Sequence, residues 1–124
     1  MPFLNCVPYR CPVLLRGEHV ETIAPNVSRR RFATRYRRER LELGDGDFID
    51  LDTAVREGSE KIDTCVLALH GLEGFSEAPY VKSLARGLRS SAWDLVAMNM
   101  RGCSSELNRA ARFYHSGETG DLRE

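Results

Sequence analysis

DTCVLALHGLEG, residues 63–74, is an apolar run that stops abruptly at a His-Gly turn. Cys65, Val66, Leu67, Ala68 and Leu69 are continuous and apolar, the pattern of a strand buried on both faces. Immediately downstream, Ser76 is placed to cap a helix, with Glu77 and Pro79 in its first turn. Val81, Leu84, Ala85 and Leu88 then fall at helical spacing and make one apolar stripe. Leu95, Val96, Ala97 and Met98 form a second buried strand, ended by Asn99-Met100-Arg101-Gly102. Strand, helix and strand, with a crossover of this length, predict a parallel βαβ unit.

Upstream, Arg38 to Leu43 alternates, with Leu41 and Leu43 on one side. Gly44-Asp45-Gly46-Asp47 is turn chemistry, because Gly and Asp tolerate positive φ. Phe48 to Asp52 alternates again with Ile49 and Leu51 inward, so the two strands predict a β-hairpin. Asp45, Asp47, Asp50 and Asp52 lack the closing bidentate Glu of a calcium loop and are expected at the turn and on the strand surface. Arg56 to Lys61 reads as a loop. Residues 1–36 read as an irregular N-terminal arm, rich in proline, with a short helix around Glu18 to Ile23. The tail from Cys103 is loop-like, and Thr119-Gly120-Asp121 is expected to open a further helix.

The 124 residues suffice for one small domain. Eighteen basic residues balance eighteen acidic ones, so no global field draws the chain to nucleic acid or an anionic membrane. Seven arginines crowd positions 29–40. They suggest an RNA-, phosphate- or anionic-lipid-binding patch, but acids follow at once and favour a solvated, partly paired face leading into a strand. No apolar run approaches the roughly 20 residues that span a bilayer, and the start lacks the basic lead and unbroken apolar centre of a signal peptide. The four cysteines do not have zinc-finger spacing. Cys6-x4-Cys11 with His19 is a weak metal half-site, and free thiols in a reducing, cytoplasmic compartment fit better. The expectation is no metal, no cofactor, no integral membrane segment and no nucleic-acid partner.

A strand that runs into His-Gly-x-x-Gly has a chemical use. Open parallel sheets place their sites at the carboxyl ends of strands. Glycines there let the chain turn sharply and a ligand approach the backbone. Free N–H groups in such a loop can hold an oxygen that becomes negative during acyl transfer. The natural donor is the Leu72 N–H, with Gly71 next. His70 reads as a brace for this loop rather than a catalytic base.

The stretch from Arg37 to Arg123 resembles the YheT-like hydrolases, a branch of the α/β-hydrolase superfamily. The resemblance rests on Arg38 to Leu43 with Asp45 to Asp52, on His70-Gly71-Leu72-Glu73-Gly74 with Pro79-Tyr80, on Asn99-Met100-Arg101-Gly102-Cys103-Ser104, and on Tyr114-His115-Ser116-Gly117. Gly17 to Pro25 is faintly similar to the family's His-x-x-Thr-Ile element. The resemblance implies an α/β fold, present here as a partial α/β-hydrolase fold with a hairpin, a parallel βαβ unit and an incomplete sheet. The second buried strand is then inserted between the hairpin and the first. It also implies ester hydrolysis by a Ser, Asp and His triad, in a chain two to three times as long. No Gly-x-Ser-x-Gly elbow occurs in this sequence; Gly74-Phe75-Ser76-Glu77-Ala78 comes nearest and lacks the second glycine. No triad residue is therefore carried over.

Residues 37–124 are thus expected to be the first part of an α/β-hydrolase domain, inactive alone and prone to self-association through an unfinished sheet. The substrate implied for the complete protein is a small-molecule ester or lipid. Glu73, Arg101 and His115 are expected to brace or line the pocket together with His70, and Cys103 has no base beside it in sequence. The rivals are a non-catalytic binding protein using the Arg29 to Arg40 face and a decayed gene fragment.

Overall fold

The computed structural model describes residues 10–13, 16–29, 33–55, 64–89, 91 and 93–124. Cys6, Arg30, Arg31 and the expected loop from Arg56 to Lys61 lie outside the described residues. Helix α1 (Glu18–Arg29) is followed by strands β1 (Tyr36–Glu42), β2 (Phe48–Ala54) and β3 (Thr64–Leu69), helix α2 (Pro79–Leu88) and strand β4 (Trp93–Asn99). No described helix is long and apolar enough to cross a membrane.

The four strands form one mixed sheet in the order β1-β2-β4-β3. β1 and β2 are an antiparallel hairpin, β2 and β4 are antiparallel, and β3 and β4 are parallel. β4 therefore sits between the hairpin and β3, the partial α/β order that the resemblance implies. The turn works as its residues require: Gly46 adopts φ 82°, and its N–H donates to the Leu43 carbonyl at 3.0 Å.

The sheet packs on both faces. On one, Ala78, Val81 and Ala85 from the start and body of α2 meet Leu95 and Ala97, with Val66 and Ala68 of β3 alongside. On the other, Ile49 and Met98 pack with Leu43, and Leu41 and Leu51 close around them. The inward setting of Ile49 and Leu51 is as the alternation predicts.

The opposite face of β2 is not the surface that its acids suggested. Asp47, Asp50 and Asp52 are at most 1% exposed. The hairpin register puts Arg38 directly across from Asp52 and Arg40 across from Asp50, and each pair is bidentate. Arg38 Nε and Nη2 donate to Asp52 at 2.8 and 2.7 Å, and Arg40 Nε and Nη2 donate to Asp50 at 2.8 and 3.1 Å. The tail covers this ladder: Ser105 and Glu106 take the remaining arginine donors. A buried carboxylate is tolerable only when paired and hydrogen-bonded, and the arginines of β1 supply that. The Arg40 guanidinium also lies 3.7 Å from the centroid of the buried Phe48 ring.

Other expectations are corrected. β3 is partly buried on one face only; Leu67 and Leu69 are 50% and 43% exposed, because β3 is an edge of the described sheet and α2 covers just the Val66 and Ala68 side. Helix α1 extends six residues beyond Ile23, to Arg29, and packs on α2. Ala78, not Ser76, is the N-cap of α2, since the Ser76 hydroxyl is engaged elsewhere. Residues 119–121 form turns rather than a helix start. Asp121 is buried there, held by Arg101 through two 2.8 Å bonds.

Candidate active site

The His70–Gly74 loop leaves the carboxyl end of β3 and is pinned from several directions. His70 is 6% exposed. Its Nε2 accepts the Met100 N–H at 3.0 Å, and its Nδ1 lies 2.8 Å from the Gly71 carbonyl. An accepting Nε2 requires the proton on Nδ1, so Nδ1 donates to Gly71 O. Both ring nitrogens are thereby engaged in holding the loop to the end of β4.

The next four amides differ in a way that defines the site. The Gly71 N–H donates to Tyr80 Oη at 3.0 Å. The Glu73 N–H donates to Tyr114 Oη at 2.7 Å. The Gly74 N–H closes a turn onto the Gly71 carbonyl at 2.9 Å. Between them, the Leu72 N–H has no acceptor among the described residues, and the Leu72 side chain is 84% exposed. Glu73 holds φ at 56°, a left-handed conformation uncommon outside glycine. Gly74 is required by space: a Cβ there meets Tyr80 Oη at 2.7 Å, His70 Cβ at 2.8 Å and the Gly71 carbonyl at 2.9 Å.

The far end of the loop is anchored in the sheet. The Ser76 hydroxyl donates to Asp52 at 2.5 Å, its N–H donates to Asn99 Oδ1 at 2.8 Å, and its carbonyl accepts from Tyr36 Oη at 3.0 Å. Asn99 Nδ2 completes the set with Asp52 at 2.8 Å. Burial pushes the Asp52 carboxyl up, but the Arg38, Ser76 and Asn99 bonds outweigh it and hold it below the usual carboxylate range. Burial, with Glu77 beside it, pushes the Tyr36 phenol up to about 12. Ser76 is thus a buried structural hydroxyl and not an open nucleophile.

Two cavities flank the loop and share Leu72 and Tyr114 as a common wall. The larger, about 720 Å³, is lined among others by Phe75, Gly102, Cys103 and Phe113. The smaller, about 520 Å³, is lined by Leu69, His70, Met100 and His115. Glu73 faces the larger cavity. His115 faces the smaller with an exposed ring, its Nδ1 accepting the Gly117 N–H at 3.1 Å. Arg101 touches the larger cavity but is 3% exposed. It clamps Asp121, Asp45 and Asp47 and so ties the tail to the hairpin turn. Burial raises the Asp47 carboxyl, yet the N–H groups of Arg109 and Phe48 and the Arg101 guanidinium overcome this and hold it at about 2. The Cys103 thiol lies against Tyr114, whose phenol is pushed up by burial and by that bond. Among the described residues no group of three or more His, Cys, Asp or Glu is placed to hold a metal ion.

Tyr80 and Tyr114 are the residues that spacing alone did not single out. Tyr80 lies on α2 and Tyr114 in the irregular tail, and only the fold brings their hydroxyls to either side of Leu72.

No family model matches the sequence. Over 103 residues the chain is 40% identical to YheT of Escherichia coli, an esterase by name, a match that takes in 83% of this chain and 30% of that protein. It is 32% identical over 123 residues to the embryogenesis-associated protein EMB8 of Picea glauca, covering 27% of that protein. A 60-residue stretch is 38% identical to the medium-chain fatty acid ethyl ester synthase/esterase 2 of Saccharomyces cerevisiae, covering 48% of this chain and 13% of the yeast protein. The chain therefore spans under a third of the length of each of these relatives. With the strand order and the loop at the end of β3, these matches make the chain a relative of the YheT-like α/β-hydrolases over the length it spans.

Proposed function

We propose that residues 70–74 are the oxyanion-hole loop of a serine carboxylic-ester hydrolase, with the Leu72 N–H as donor. Residues 37–124 are then the first part of the hydrolase domain, residues 1–36 its N-terminal arm, and the nucleophile comes from outside these 124 residues. The observation that carries this reading is the Leu72 N–H, which has no acceptor among the described residues and belongs to a residue that lines both cavities beyond the carboxyl end of β3. Its neighbours are already committed, Gly71 to Tyr80 and Glu73 to Tyr114. Gly71 is therefore a structural amide, and one donor is left to meet a developing negative charge. The esterase names of two relatives support the reaction class. The substrate is a small-molecule ester or lipid, and acyl transfer of this kind calls for no cofactor. Cys65 and Cys103 carry free thiols, which fits a cytoplasmic setting.

Hydrolysis of p-nitrophenyl esters tests the proposal. The 124 residues alone give no turnover above a denatured control, because a donor without a nucleophile offers no covalent route. A longer protein carrying these residues and a Gly-x-Ser-x-Gly elbow turns over saturably. Activity of the short chain that disappears with Cys103→Ala or Ser76→Ala overturns it. The binding reading of the basic stretch is not favoured, since Arg38 and Arg40 are committed to Asp52 and Asp50.

A further inference from the structure

We propose that Tyr80 and Tyr114 are positioning residues that aim the Leu72 N–H, each by taking the amide on one side of it. The inference rests on the oxyanion reading above and adds how the donor is held ready. An amide in a glycine-rich turn is free to rotate its peptide plane, and a donor that must be ordered at the moment of reaction stabilises charge less than one already fixed. The Leu72 N–H shares its peptide plane with the Gly71 carbonyl, which His70 Nδ1 and the Gly74 N–H hold at 2.8 and 2.9 Å, and the planes on both sides are fixed by side chains from outside the loop. The Gly71 N–H is 3.0 Å from Tyr80 Oη and the Glu73 N–H 2.7 Å from Tyr114 Oη. The two phenols come from different parts of the fold, one from the second residue of α2 and one from the tail.

The anchors are themselves held. Tyr114 packs edge-on against the His70 ring at 5.6 Å between centroids, and His70 is fixed at both nitrogens. Tyr80 Oη sits where any side chain on Gly74 would collide with it, so the missing Cβ makes room for the phenol. Glu73, whose N–H donates to Tyr114, itself holds the left-handed φ of 56°. Local backbone strain of this kind persists when its surroundings over-determine it. The arrangement leaves a donor between two occupied amides, which a loop satisfying its own backbone would not need.

Residue-resolved amide hydrogen exchange on the intact protein tests the bracket without reference to activity. In the wild type, Gly71 and Glu73 exchange about tenfold or more slowly than Leu72, the equivalent of one hydrogen bond each. Tyr80→Phe speeds Gly71 alone and Tyr114→Phe speeds Glu73 alone. In the ester-hydrolysing protein, either change lowers kcat about tenfold while KM moves less than twofold, the signature of an interaction made in the transition state. Wild-type Gly71 and Glu73 amides that exchange as fast as Leu72 overturn the proposal, as do tyrosine variants that raise KM and leave kcat alone. A wild type without esterase activity sinks the proposed function instead, and the exchange pattern still decides the bracket.

Discussion

The Tyr114 hydroxyl accepts the Glu73 N–H at 2.7 Å from 41 residues away in sequence. It joins the irregular tail to the loop after β3, and the same ring forms part of the wall between two cavities. The tail, without helix or strand of its own, is therefore part of the candidate site's frame. Ser105 and Glu106 cover the arginine ladder, Asp121 holds Arg101, and Tyr114 holds the loop.

Of the loop's two glycines, Gly74 is the one with no room for a side chain. Gly74→Ala should displace Tyr80, His70 or the Gly71 carbonyl, each under 3 Å from the new methyl group. The expected cost is about 1–3 kcal/mol of stability, as for other overpacked sites. Urea unfolding of the two proteins measures it. Gly87→Ala, in helix α2 and with nothing within 4 Å of its added Cβ, should be neutral or stabilise by up to about 1 kcal/mol and serves as the control.

Asp52 joins three elements through Arg38, Ser76 and Asn99. Asp52→Ala should cost about 3 kcal/mol, because it leaves buried donors and a partly buried guanidinium without their acceptor. Ser76→Ala removes a single hydroxyl and should cost about 1 kcal/mol. Equal midpoints for the two variants in urea would show that the carboxylate is not the hub of the network.

The paired acids set an acid limit on stability. Asp47 is held at about 2, against 3.8 for a free carboxyl, and the buried Asp50 and Asp52 and the exposed Asp45 are also lowered. A depressed folded value means that the stabilisation is present above the unfolded value and is lost as pH falls through the folded one. Thermal melting should therefore be flat with respect to these groups above about pH 5 and fall from about pH 4 toward 2. Asp47→Asn should lower the plateau and flatten that fall. An acid limb identical in both proteins would remove Asp47 from the account.

β3 pairs only with β4 among the described strands, and it exposes Leu67 and Leu69. An apolar edge with unpaired backbone groups recruits other chains. The 124 residues alone should sediment as oligomers at micromolar concentration, and Leu67→Lys should shift them toward monomer. A monomeric wild type that melts sharply and reversibly would show that this edge is closed.

The hairpin, the βαβ unit and the site loop were legible because each is local: alternation, turn residues and an apolar run ending at His-Gly. The place of β4 between the hairpin and β3 came from the resemblance. The burial of Asp50 and Asp52 was not legible strand by strand, since an alternating acidic strand looks like a solvated one. The signal lay in the pairing. A hairpin turning at Asp45 sets Arg40 across from Asp50 and Arg38 across from Asp52, so Arg-x-Arg and Asp-x-Asp at equal distances from a Gly-Asp turn form a ladder. Ser76 looked like a cap because a serine before a proline-led helix usually is one, and its buried partners are 23 and 24 residues away. Tyr80 and Tyr114 needed the assembled fold, for no local pattern relates them to Leu72.

Turnover of Leu72→Pro against Leu72→Ala in the ester-hydrolysing protein bears most directly on the oxyanion assignment. Proline removes the N–H and alanine keeps it. The Leu72→Pro protein should lose about 2.7–4 kcal/mol of transition-state stabilisation, a fall of about 10²–10³ in kcat. Leu72→Ala should stay within about threefold of wild type, since it alters only an exposed side chain. Equal turnover by the two variants, both folded by circular dichroism, would contradict the assignment of this N–H to the oxyanion hole.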